Sequence, residues 1–319
     1  MGTPQFAVES LQRLAQWPCG KLVAVYTQPD RPAGRGHKIA MPPVKECALA
    51  MGLPVEQPVS FKEPATQAQL AAYQPDIIVV AAYGLLLPNA VLNAPRLAPV
   101  NVHASLLPQF RGAAPIQRAI MECWQPDAIT GVSIMKIVQQ LDAGPVYARV
   151  EVPIGEHTAG SLHDTLARAG AELLLHVLDD LWQGTARPIA QDEAFATYAA
   201  KITRAETYLA WDKPVARIHA RIRGLSPKPG AKVSLVLATG ETLSLTLAPG
   251  KPDMRAATAA PGTLYRDGAR LSVACVDGCY ELTRVRLDNS RETAVSDLLN
   301  GRLRGLPQGA CGFALAPEG

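Results

Sequence analysis

The run Ile77–Ala82, I-I-V-V-A-A, limits the fold more than any other stretch of this 319-residue chain. Six apolar residues without alternation predict a strand covered on both faces, as in an α/β sheet. A proline-rich break follows, and then Val100 to Gly112, V-N-V-H-A-S-L-L-P-Q-F-R-G. If this stretch starts extended, Asn101 and His103 leave it on the same face. Leu106 and Leu107 are expected to wall a small pocket, and Gly112 lets the backbone turn tightly or pass close to a ligand. Ala113–Trp124 then reads as a helix, with Pro115 tolerated in its first turn. Strand, polar loop and helix together mark the usual place of a site in an open α/β sheet.

Other segments fit that frame. Helices are predicted over 8–17, 43–51 and 63–73, and a buried strand over 22–27. A polar loop, 28–38, carries Arg31, Arg35 and Lys38 against Asp30. Strands at 130–138 and 146–154 flank a turn, Q-Q-L-D-A-G-P, that holds Asp142. A long helix is expected over 158–181, with Ser161 and Asp164 as its capping signal. From Pro227 the texture changes to short strands at 232–237, 242–247, 262–264, 271–276 and 280–287. They predict a small β-barrel or sandwich, followed by a helical piece at 297–300 and a loose last dozen residues. The expected division is a catalytic domain over 1–184, a linker over 185–207 and a second domain over 208–319.

Charge is uneven. The formal net charge is +3, but residues from 201 on carry 17 Lys and Arg against 11 Asp and Glu. The second domain is therefore the better candidate to meet a polyanion. The six cysteines form no CxxC, and the histidines lack compact metal spacing, so no metal is expected. Free thiols are expected, with Cys275–Cys279 the pair that could bridge. No secretory leader is read at the start. The longest apolar run, Ile77 to Leu87, is short of the ~20 residues that a membrane-spanning helix needs.

Asn101, His103 and Asp142 form the candidate catalytic group. The amide cannot titrate and suits holding a tetrahedral oxyanion. The imidazole can move a proton, and a nearby carboxylate would stabilise its protonated form. Strand ends that meet at one sheet edge would let Asp142 reach His103. A G-x-S-x-G elbow, a G-x-G-x-x-G turn and a phosphate-binding G-x-x-x-x-G-K-[ST] loop are all missing. Direct transfer of an acyl-like group to an external amine fits better than a covalent intermediate.

G-T-P-Q-F-A (2–7), Y-T-Q-P-D-R-P-A-G-R-G (26–36), A-Y-G-L-L-L-P (82–88), the block 101–120 and L-D-A-G-P (141–145) together resemble the methionyl-tRNA formyltransferases, as do A-K-I-T-R-A-E (200–206) and L-S-P-K-P-G-A (225–231). The likeness spans nearly the whole chain. It implies a Rossmann-like formyltransferase domain with an open, mostly parallel sheet, followed by an OB-like β-barrel that binds tRNA. It implies 10-formyltetrahydrofolate as formyl donor and the α-amine of methionyl initiator tRNA as acceptor. Asn101, His103 and Asp142 match the family's catalytic residues. Ser105, Leu106, Leu107, Pro108 and Gly112 are expected at the folate, and Arg31, Arg35 and Lys38 at the tRNA. A cytoplasmic monomer is expected.

The chain departs from that pattern at four places. The strand that usually leads into Gly2-Thr3-Pro4 is reduced to Met1, which predicts exposed strand edges and an unstable protein. Ala104 stands where a Gly is usual, Pro145 where a polar residue is usual, and Lys228 where a Trp usually packs. Two other readings stay open: a sugar-nucleotide N-formyltransferase with the same donor, and a catalytically silent RNA-binding remnant.

Overall fold

In the computed structural model, Ile77–Val80 pairs in parallel with Ala98–His103, with Val80 opposite Asn101. Ile78 and Val80 are buried and Ile77 and Val79 half-buried, as a strand covered on both faces requires. The structure describes residues 1–33, 38–255, 258–288 and 290–315. They form two units. One takes in the described residues within 1–115, 129–153 and 163–199; the other takes in 116–128, 154–162 and those from 200 on.

The first unit's four-stranded sheet runs in the order 77–80, 98–103, 129–136, 146–153. Its last two strands are antiparallel to their neighbours, with His103 opposite Ser133. The sheet is therefore mixed. The parallel expectation holds for its first half. In the second half no helix lies between Lys136 and Val146 to return the chain for a parallel crossover, so the two strands form a hairpin. Beyond Ile77–Val80, the Met1 amino group donates to Val79 O at 2.7 Å and Gly2 N–H donates to Tyr26 O at 2.9 Å. Met1 and Gly2 thus hold a sheet position between Val25–Tyr26 and Ile77–Ala81. An apolar cavity of about 380 Å³ adjoins them, lined in part by Leu11, Trp17, Leu22, Tyr73 and Trp182.

The long helix spans Ala159–Gln183 and buries Leu162, Leu166, Ala171, Leu174 and Leu178. Its start differs from the Ser161–Asp164 signal. Thr158 N–H donates to Ser161 Oγ at 3.0 Å, and Ser161 N–H donates to Thr158 Oγ1 at 3.2 Å. The reciprocal bonds satisfy two donors that a helix start leaves open.

The second unit carries a nine-stranded antiparallel sheet in the order 251–253, 279–282, 270–274, 263–267, 309–315, 231–237, 242–247, 284–287, 292–294. Strict alternation along Ala231–Leu237 buries Ala231, Val233, Leu235 and Leu237. Helix Val215–Leu225 adds Val215, Ile218, Ile222 and Leu225 to the same core. Asp277 Oδ1 accepts from the Val215 N–H at 2.8 Å and caps that helix. The expected strand 280–287 breaks at Thr283 into two, placed near opposite ends of the sheet. Among the described residues the two end strands do not pair with each other, so the sheet is a curled half-barrel.

The expectation of a loose last dozen residues is corrected for the described part of that stretch; residues 316–319 lie outside the described residues. Gly309–Leu315 lies mid-sheet, between Ala231–Leu237 and Thr263–Asp267. Its G-A-C-G-F-A-L composition has weak strand propensity. Pairing on both edges and burial of Cys311 and Ala314 hold it. All six cysteines are free thiols, Cys275 and Cys279 included.

Candidate active site

Strand Ala98–His103 sets the two central side chains. Asn101 pairs with Val80 on one side and Met135 on the other, and is half-buried. Two residues on, His103 is 6% exposed. Its Nε2 lies 3.0 Å from Phe110 O. A carbonyl only accepts, so Nε2 carries a proton and donates it there. The other ring nitrogen is then the one free to gain or lose a proton. Nδ1 lies 3.7 Å from Asp142 Oδ2, too long for a hydrogen bond but within ion-pair range.

Asp142 reaches this point from the connection between two antiparallel strands, not from a neighbouring parallel strand end. Its backbone is in the left-handed region, φ 49°, which costs a non-glycine residue energy. The Gly112 N–H donates to Asp142 Oδ2 at 2.9 Å. Gly112 itself has φ 115°, and a Cβ there would sit 3.0 Å from Ala199 O. Both the turn and the close approach require glycine.

The loop between His103 and Gly112 is tied down from inside. Ser105 is fully buried, and its hydroxyl donates to Gln109 O at 2.6 Å. Ser133 Oγ donates to Ser105 O at 2.7 Å and accepts from the Leu107 N–H at 3.0 Å. Leu107 is 2% exposed and packs with Met135 and Val146. Leu106 is half-buried over Gly131, where a Cβ would meet its Cδ2 at 2.5 Å. Of the two leucines read as pocket walls, Leu107 is core and Leu106 keeps a partly open face. Pro108 is half-buried, and Arg149 Nε donates to Leu107 O at 2.9 Å. Ala104 is buried, and Pro145 O accepts from the Lys136 N–H at 2.9 Å.

The basic loop forms a short hairpin, Arg31–Ala33 with Lys38–Ala40. Arg31 is exposed. Lys38 pairs with Ala33 through its backbone, and Arg35 lies outside the described residues. At the hairpin's base, Asp30 accepts from Lys45 Nζ at 2.7 Å and Gln57 Nε2 at 2.8 Å. Those two bonds hold its carboxyl below the usual range. Lys228, in the second unit, is exposed.

Sequence reasoning missed the segment that closes this neighbourhood. Residues 185–199, read as the start of a linker, belong to the first unit. Ile189 exchanges two 2.8 Å backbone bonds with Val146, and Tyr198–Ala199 pairs with Arg111–Gly112. Arg111 is fully buried. Its guanidinium donates to Gln191 Oε1 at 2.9 and 3.1 Å and to the Glu193 carboxylate at 2.8 and 3.0 Å. The Glu193 contact raises the Arg111 pKa, and the guanidinium lowers that of Glu193. The one available signal was Arg111 itself, a cation flanked by Phe110 and Gly112 that, once buried, needs an acceptor from elsewhere.

Several known proteins resemble this chain. Residues 1–178 match the formyl transferase family model, and 201–303 match the model of the formyl transferase C-terminal domain. A methionyl-tRNA formyltransferase of Desulfovibrio desulfuricans is 56% identical over 323 aligned residues, covering 100% of this chain and 96% of the relative. One from Pseudomonas paraeruginosa is 45% identical and covers 94% of each chain. Among solved structures, an N-formyltransferase of Helicobacter canadensis, in complex with folinic acid and dTDP-3-aminofucose, superposes with a TM-score of 0.63 at 15% identity, covering 92% of this chain and 97% of that one. HypX from Aquifex aeolicus in complex with tetrahydrofolic acid gives a TM-score of 0.58 at 18% identity, over 85% of this chain and 47% of its own. At such identities the two structures speak to fold alone.

Proposed function

This chain belongs to the methionyl-tRNA formyltransferase family, and we propose that Asn101, His103 and Asp142 carry its chemistry. The enzyme transfers a formyl group from a folate-derived donor to the α-amine of methionyl-tRNA. We read the donor as 10-formyltetrahydrofolate and the acceptor as the initiator tRNA. The observation that carries the site reading is the imidazole of His103, its Nε2 bound to Phe110 O and its Nδ1 facing Asp142.

The acceptor amine attacks only when neutral, and an α-amine titrates near pH ~8. As its nitrogen bonds to the formyl carbon, the carbonyl oxygen becomes an oxyanion. The Asn101 amide donates to that oxygen. The amine then loses a proton to His103 Nδ1, and Asp142 stabilises the resulting imidazolium. Cleavage of the bond between the formyl carbon and N10 delivers that proton to N10. The imidazole ends neutral, the tRNA formylated, and the donor becomes tetrahydrofolate.

Ser105 to Pro108 and Gly112 would shape the donor site. Leu106 and Pro108 are the members with apolar surface still partly open to a ligand, and Ser105 and Leu107 act by fixing the loop. Arg31, Arg35 and Lys38 would contact the tRNA backbone. The relatives at 43–56% identity support the tRNA reading over the sugar-nucleotide one, whose representatives lie at 14–19%. A cytoplasmic monomer suits an enzyme of translation. No described helix is long and apolar enough to cross a membrane.

Single-turnover formylation with both substrates saturating tests the assignment. Asn101→Ala and Asp142→Ala should each slow transfer by about 10² to 10³, the usual cost of losing one such electrostatic contact. Parental rates for both variants would move the chemistry elsewhere.

A further inference from the structure

Asp142 is held by more than its carboxylate. Its left-handed backbone lies in a turn whose carbonyls point at a side chain 49 residues further on. Gln191 Nε2 donates to Asp142 O at 2.8 Å and to Gly144 O at 2.7 Å. The amide cannot be reversed. Its oxygen accepts from the Arg111 guanidinium, which has donors only, so its nitrogen must face the two carbonyls. Arg111 is fixed in turn by Glu193 and by complete burial. Arg111 also precedes Gly112, whose N–H holds the Asp142 carboxylate. One bridge therefore grips the turn by its backbone, and the residue beside the bridge's anchor grips the same turn by its side chain.

We propose that Gln191 is a positioning residue for formyl transfer: it fixes the Asp142–Gly144 turn and so sets the Asp142 carboxylate against His103. The proposal rests on the reading that Asp142 takes part in catalysis. Gln191 touches neither His103 nor, in that reading, the reacting atoms. It acts through Asp142 alone, and its effect must vanish when the Asp142 carboxylate is gone.

A double-mutant cycle on the full chain makes that test, with single-turnover rate at saturation and equilibrium tRNA binding as readouts. Gln191→Glu keeps an acceptor for Arg111 but turns a carboxylate, with no donors, toward two carbonyls. Gln191→Leu removes both functions and guards against a folding failure of the first. Each should slow transfer by roughly 10- to 100-fold, the scale at which small misplacements of a reacting group act, with tRNA affinity unchanged. Added to Asp142→Ala, either should slow transfer by no more than about twofold further. An equal loss in both backgrounds would overturn the positioning role, and so would parental rates for the Gln191 variants beside a slow Asp142→Ala. A parental rate for Asp142→Ala would instead overturn the reading of Asp142, and this proposal with it.

Discussion

The Arg111 side chain and the side chains inside the nine-stranded sheet are both closed to water, yet different forces hold them; the Glu193 carboxylate that pairs with Arg111 is itself open to solvent. Arg111 and Leu235 are each 0% exposed. Around Arg111, directed bonds to Gln191 and Glu193 support residues in costly backbone states, Phe110 at φ 57° and Asp142 at φ 49°. Around Leu235 the partners are apolar side chains such as Val233, Leu245 and Val273, and the attraction has no direction. A lost bond in the first region should misplace a group, whereas a lost methyl in the second should leave a void. Function and stability should therefore separate by region.

The largest effect that sharpens this contrast belongs to the sheet. Leu235→Ala should lower unfolding free energy by about 2–5 kcal/mol, the range for truncating a buried leucine. Its single-turnover rate with saturating substrates should stay within about twofold of the parent. Denaturant titration and the transfer assay on one preparation measure both. A large loss of rate in folded Leu235→Ala would break the separation.

An ion pair in the second unit tests the contrast from the polar side. Glu206 accepts from Arg118 at 2.6 and 3.1 Å and from Thr203 N–H and Oγ1 at 2.9 and 3.0 Å. The Arg118 bonds first, then those of Thr203, hold its carboxyl down to about 2 against an ordinary 4.5. A depressed carboxyl stabilises the fold above its unfolded pKa and loses that contribution as pH falls toward the folded one. Between pH 6 and pH 3 the parent should therefore lose about 1–2 kcal/mol that Glu206→Gln does not, after discount for solvent screening. Urea titrations of both proteins at the two pH values give the difference directly. Parallel pH dependence in the two would show that Glu206 contributes no such stability.

The smallest expected effect lies on the hairpin. Arg31 is exposed, so Arg31→Ala should leave thermal unfolding within the ~0.5 kcal/mol typical of surface changes. In the proposed role it should raise the KM for methionyl-tRNA a few-fold, more steeply at low salt, and spare the chemical step. A KM unchanged at every ionic strength would remove Arg31 from the tRNA contact.

Legibility followed the range of the interactions. Ile77–Val80, Thr242–Leu247 and Pro43–Ala50 announce themselves through runs, alternation or spacing of apolar residues. Asn101 and His103 were legible as neighbours on one strand face, because a strand's period is local. Gly309–Leu315 was not, since its place mid-sheet comes from two partner strands and its small residues carry no pattern. The segment 185–199 looked like a linker because it is polar and irregular. Its polar groups are spent on Arg111, Asp142 and Val146, all far away in sequence.

The covered strand, the strand-loop-helix frame, the change of texture near Pro227 and the residue types of the site could all be read along the chain, because each depends on spacing between near neighbours. The antiparallel second half of the sheet, the direction of the Gln191 amide and the approach of Asp142 to His103 follow from contacts between distant segments. Hydrogen bonds from a side chain to a distant backbone carbonyl impose no period on the chain, and so they become visible only once folding has brought their partners together.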